Sequence, residues 1–141
     1  MVVKKGGCVL VRSKTKEVAL IYRPHYDDYS FPKGHMEGNE TTLECAIRET
    51  IEETGCDITI INDEPIYINK YTTPKGEDVE VYYYLAEYKE EYQGFIDEKD
   101  KEICRWVSID EVAKLLTYDN NLTMWEKVSK IVAECCALHD N

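Results

Sequence analysis

No stretch of this 141-residue chain stays apolar for the roughly 18 residues that a membrane-crossing helix needs, which excludes a helical membrane span. Met1-Val2-Val3-Lys4-Lys5 is followed at once by glycines, so no secretory leader is expected, and a cytoplasmic location is. Positive charge is scarce: 17 Lys and Arg stand against 28 Asp and Glu, a formal net charge of −11. Such a balance argues against an extended nucleic acid as partner, because phosphate backbones are held by clustered cations. Small metal-chelated nucleotides stay open, since they need positive charge only locally. The three histidines, His25, His35 and His139, lack ligand spacing, which removes a soft-metal centre. The six cysteines form neither a CxxC pair nor a regular framework, and most fall at apolar positions, so they read as reduced core residues. Repeats, low-complexity tracts and linkers are missing too, and one domain over 1–141 is expected.

What is present in abundance is carboxylate, and it is concentrated in the run GHMEGNETTLECAIRETIEETGC from Gly34 to Cys56. At about 100° of rotation per helical residue, Glu49, Glu52 and Glu53 share one arc of the helix. Leu43, Ile47, Thr50, Ile51 and Thr54 occupy the opposite arc and are expected to pack. Like charges at these spacings cost a few tenths of a kcal/mol per pair, and a hard divalent cation is the natural partner that offsets the cost. Asn39, Thr41 or Thr42 can cap the helix start, and Thr41 with Glu44 has the spacing of a capping box. Gly55 supplies the stop, since a glycine tolerates the left-handed backbone of a helix end.

The spacing G-x5-E-x7-R-E-U-x-E-E-x-G-U runs through Gly34, Glu40, Arg48, Glu49, Thr50, Glu52, Glu53, Gly55 and Cys56 and resembles the Nudix box. Thr50 departs from it, standing where the family usually has an aliphatic residue. The resemblance implies a loop–helix–loop around Mg²⁺ or Mn²⁺ in an enzyme that hydrolyses a nucleoside diphosphate linked to another moiety. By that resemblance Glu52 and Glu53 are metal ligands, Glu49 is a further ligand or general base, the Gly34 carbonyl is a backbone ligand, and Glu40 and Arg48 form a structural pair. Arg48 also has helix-surface partners within reach in Glu44 and Glu52.

Outside the box, Phe31-Pro32-Lys33-Gly34-His35-Met36-Glu37 is similar to the PKGHxE opening of the bis(5'-nucleosyl)-tetraphosphatases, which cut diadenosine tetraphosphate into ATP and AMP. Val81 to Glu87 and Arg105-Trp106-Val107-Ser108 resemble the aromatic strand and closing strand of that branch. Lys33 is the phosphate-binding candidate beside the box, and Lys75 in the turn 73–76 is a weaker second. Tyr71 stands where the branch stacks a ring on adenine. Tyr82, Tyr83 and Tyr84 alternate faces of a strand, and Tyr83 is the one assigned to the substrate. Glu98, Asp100 and Glu102 are candidates for a late acidic residue, with Glu102 preferred as ligand or base. Asp27-Asp28-Tyr29-Ser30 departs from the histidine and tryptophan common in that branch. Alternatives are a Nudix pyrophosphohydrolase acting on (d)NTPs, RNA 5' ends or nucleotide sugars, and a Nudix-fold binding module without activity.

Periodicity places strands at Gly7–Val11, Val18–Tyr22, Ile58–Ile61, Ile66–Thr72, Val79–Lys89 and Ile103–Val107, with 23–33 a loop. Ser108 and Glu111 form a second expected capping box ahead of a helix Val112–Leu116, and Leu122–Leu138 reads as a closing helix whose apolar positions are Trp125, Val128, Ile131, Val132 and Cys135. This order, and the resemblance, imply an α/β Nudix fold with a mixed sheet between helices.

Overall fold

The continuous apolar run Cys8-Val9-Leu10-Val11 has no polar face to offer water, and it occupies the middle of the sheet. In the computed structural model, which describes residues 1–100 and 102–138, it belongs to β1 (Val2–Arg12). An antiparallel partner, β2 (Glu17–Arg23), lies on one side. On the other runs the long β7 (Asp78–Glu91), parallel to β1 from Val2/Asp78 to Val11/Glu87. Both long strands change partner along their length. The start of β7 pairs with β6 (Tyr67–Thr72) and its end with β5 (Cys56–Ile60), while the start of β1 pairs with β4 (Lys33–His35). Beyond β2 lie β3 (Asp28–Ser30) and β8 (Ile103–Ser108), completing a mixed eight-stranded sheet. The expected strands are all present. The expected loop 23–33 is a correction, because it contains β3 and delivers Lys33 to β4; three-residue strands are too short to show a period and exist only through their partners.

Helix α1 (Thr42–Thr54) opens on the expected capping box: Thr41 Oγ1 accepts from the Glu44 amide at 3.1 Å, and Glu44 accepts from the Thr41 amide at 2.9 Å. It ends at Gly55, whose φ of 71° needs no side chain and whose amide closes on the Ile51 carbonyl at 2.8 Å. Its packing face is the expected one only in part, at Leu43 and Thr50. Cys45, Ala46 and Thr50 are the buried residues, while Ile47 and Ile51 turn toward Tyr92, Phe95 and Ile96. Size, more than hydrophobicity, chooses the face: a Cβ on Gly6 would lie 2.5 Å from the Thr42 carbonyl oxygen and 2.6 Å from the Ala46 nitrogen, so helix and strand touch backbone to backbone.

The opposite face of the sheet is covered by α3 (Asp119–Leu138), which buries Met124, Trp125, Val128 and Val132 over Phe31, Val79, Val81 and Tyr83. Ile131, expected to pack, is 41% exposed. Ahead of α3 lies the short α2 (Val112–Leu115). A 3₁₀ turn, Ile109–Glu111, separates it from Ser108, whose side chain caps nothing; the second capping box is therefore not formed. With α1 on one face and α3 on the other, the architecture is the expected mixed sheet between helices. No disulfide joins the six cysteines, five of which are buried. Among the described residues no helix is long and apolar enough to cross a membrane.

Candidate active site

The acidic face of α1 points back toward β4. Glu49 lies directly on Gly34, so that any Cβ there would collide with its carboxylate. Glu53 reaches further along the strand, and its Oε1 accepts from the Lys33 amide at 2.9 Å. Arg48 is the hub on the other side: it meets Glu40 through Nε at 2.5 Å, the His35 carbonyl through Nη2 at 2.9 Å, and Glu49 and Glu52 through Nη1 at 2.9 and 3.2 Å. Glu40 and Arg48 thus tie the loop after β4 to the helix. The Gly34 carbonyl takes a weak contact from the Cys45 thiol at 3.4 Å, on the side of the loop that faces α1.

Burial here acts on charge. Desolvation pushes the Glu53 carboxyl up to about 8, with Glu49 and Glu102 adding like charge against the opposing pull of Lys33. Glu49 is raised for the same first reason, its Arg48 contact working the other way. Among the described residues no three His, Cys, Asp or Glu side chains converge on one point as they stand; Arg48 draws Glu49 and Glu52 aside while Glu53 turns to the Lys33 amide. The donor set still fits a hard divalent ion, being carboxylate and carbonyl oxygen alone, and two of its members are sunk in an environment that penalises their uncompensated charge.

Beside the carboxylates opens a cleft of about 570 Å³ between the ends of β2, β4 and β6 and the start of α3. Lys33, Glu53, Tyr71 and Glu102 line it together. The Lys33 ammonium makes no hydrogen bond or ion pair among the described residues, and burial is the first cause holding its pKa below the usual lysine range. Tyr71 is partly buried in the wall. One expectation fails. Tyr83 is fully buried against Phe31, ring centroids 5.8 Å apart, so no face of it is open to a base. Lys75 is exposed at the tip of its turn, and the turn lines the cleft through Thr73 and Pro74 instead. The side chain of Asp100 lies outside the described residues.

The wall also holds residues that sequence reasoning passed over: Arg23, Tyr118 and Asn121, the last accepting through Oδ1 from the Asn69 side-chain Nδ2 at 3.2 Å. Asp28, unseen from the cleft, anchors Arg23. Only its place in the aberrant stretch 27–30 marked it, and no spacing rule links it to Arg23.

The NUDIX domain model matches residues 3–128, nearly the whole chain. The chain belongs to the Nudix domain family. Nudix hydrolase 13, mitochondrial, of Arabidopsis thaliana is 30% identical over 128 residues, covering 84% of this chain and 62% of that protein. The 8-oxo-(d)GTP phosphatase of Mycolicibacterium smegmatis is 36% identical over 107 residues, covering 76% of this chain and 32% of that one. This chain therefore spans under two thirds of either relative. Among solved structures, the Ap4A hydrolase of C. elegans superposes with a TM-score of 0.73 at 27% identity, over 94% of this chain and 100% of that one.

Proposed function

We propose that this Nudix protein is a hydrolase of a phosphoanhydride in a nucleoside diphosphate-linked substrate, and that its preferred reaction is asymmetric cleavage of diadenosine tetraphosphate to ATP and AMP, carried out by one domain over 1–141. One observation carries the reading: a buried acidic helix face meets, at Glu53, a cleft that also presents an unpaired lysine and a tyrosine ring. Glu49, Glu52, Glu53 and the Gly34 carbonyl would hold Mg²⁺ or Mn²⁺, which when bound supplies charge neutralisation at phosphate oxygens and a more acidic water. Glu49 or Glu102 takes the proton of the attacking water. Lys33 meets the leaving phosphate, where its ammonium acts on charge that grows as the bond breaks. Tyr71 offers a flat face to adenine. A structural neighbour named as an Ap4A hydrolase, superposing over nearly the whole chain, supports the preference.

A (d)NTP pyrophosphohydrolase is the second reading, favoured by the 36% identity to a protein named 8-oxo-(d)GTP phosphatase. Incubation with Mg²⁺ and diadenosine tetraphosphate, dNTPs, 8-oxo-dGTP and nucleotide sugars, with products resolved by chromatography, separates the two. ATP plus AMP at the highest kcat/KM is expected; nucleoside monophosphate plus pyrophosphate from a dNTP at higher kcat/KM would replace the first reading by the second.

A further inference from the structure

Arg23 is held in the cleft wall by a clamp that the cleavage chemistry does not use. It ends β2 and pairs across the ladder with Asp28 of β3. Asp28 is 1% exposed, and its carboxylate takes Arg23 as a fork: Nε donates to Oδ1 at 2.9 Å and Nη2 to Oδ2 at 2.5 Å. The Tyr118 hydroxyl, just before α3, donates to the same Oδ2 at 2.5 Å and lies 3.4 Å from Nη2. Tyr26 sets its ring 4.2 Å from the guanidinium carbon. One edge and one face of the guanidinium are thereby fixed. The remaining amino group, Nη1, makes no hydrogen bond among the described residues, although the arginine side chain is 40% exposed and lines the cleft.

A buried carboxylate spent on a single surface arginine is weak evidence for stability, because an apolar replacement of such a pair is often neutral. What the bidentate fork adds is a fixed orientation. Arg23 and Lys33 are the only Lys or Arg residues lining the cleft among those described, and they share it with Glu53, Glu102 and Asp119. They are near enough that Arg23 contributes to the lowered pKa of Lys33 and Lys33 to that of Asp28. Arg23 pairs with none of the box carboxylates, so it offers the cleft a second cation besides Lys33.

We propose that Arg23, clamped by Asp28 and Tyr118, binds phosphates of the substrate lying away from the cleaved bond, and so selects substrates by polyphosphate length. This rests on the hydrolase reading above; Asp28 and Tyr118 are positioning residues. Kinetics with diadenosine di-, tri-, tetra- and pentaphosphate test it. In Arg23→Ala the KM for the tetra- and pentaphosphates rises by about tenfold more than that for the diphosphate, the worth of one charge-assisted contact. Asp28→Asn shifts the same ratio in the same direction, and Arg23→Lys does not restore it, because an ammonium cannot fork onto Asp28. A lower melting temperature with the chain-length ratio unmoved means a structural clamp only, and overturns the proposal. Should Arg23→Ala fail to fold with Asp28 left unpaired, the double variant Arg23→Ala/Asp28→Asn carries the measurement. A second arm uses inorganic tripolyphosphate and chelator-treated protein in calorimetry: binding about tenfold weaker in Arg23→Ala is expected, and equal binding overturns the proposal. That arm decides the role of Arg23 even if no dinucleotide is hydrolysed, an outcome that would sink the tetraphosphatase reading by itself.

Discussion

Glu53 combines burial, like-charged neighbours and contact with the cleft, so its substitution separates chemistry from stability. Glu53→Gln should lower kcat at least about a hundredfold, as expected for a group acting on developing charge. In chelator the same change should help the fold. A carboxyl whose folded pKa lies near 8 binds its proton more tightly folded than unfolded. Its stabilising contribution is complete below the unfolded value of about 4.3 and is lost as pH rises toward 8. Metal-free wild type and Glu53→Gln should therefore have similar denaturant midpoints near pH 4 relative to their values at pH 8, where the variant should gain; equal pH slopes in the two proteins would refute the burial argument. In the same cleft, Tyr71→Ala should weaken dinucleotide binding by about 1 to 3 kcal/mol, the usual worth of one base stack, and appear in KM. Lys33→Ala should act chiefly on kcat, because its partner charge grows only as the bond breaks. An unchanged KM in Tyr71→Ala would leave adenine stacking without a residue.

The element that matters most is α1, and two positions test what holds it. Thr41→Ala removes the capping box, which should cost about 1 kcal/mol of stability and leave kcat alone. Gly6→Ala does something different. Its new Cβ meets helix backbone at 2.5 and 2.6 Å, and backbone cannot rotate aside, so the helix must move off β1. Activity and metal affinity should fall together with stability, because Glu49, Glu52 and Glu53 ride on that helix; a Gly6→Ala protein with normal metal affinity would show the contact to be slack. The box helix was legible in the sequence down to its caps, since capping is local and its residues lie within one turn of each other. Its buried face was legible only in part, at Leu43 and Thr50. Ile47 and Ile51 are the more hydrophobic residues, yet Ala46 and Thr50 face the sheet, because only small residues admit the approach that Gly6 permits. The second capping box failed for the opposite reason: its spacing is correct, but an intervening 3₁₀ turn moves Ser108 out of position.

Across the whole molecule, a net charge of −11 coexists with two basic side chains, Arg23 and Lys33, in one cleft, and the excess acid beside them is what the proposed divalent ion would offset. Mg²⁺ or Mn²⁺ that binds only the folded state should raise the melting temperature, by an amount equivalent to about 2.7 kcal/mol at a hundredfold excess over Kd. The rise should be lost in Glu53→Gln, and its absence in wild type would count against the metal site as a whole. The sequence by itself determined the family, the order of the long strands and helices, and the carboxylates on one helical arc, because each of these depends on periodicity or on spacing within a short run. Only the tertiary structure decided which tyrosine meets the cleft and which is buried, and that Arg23, Asp28 and Tyr118 form one clamp. Tyr118 and Asp28 lie at opposite ends of the chain's middle, and β3, which sets Asp28 beside Arg23, exists only through its ladder with β2. Such contacts carry no local period; they follow from where the sheet brings separate strand ends together.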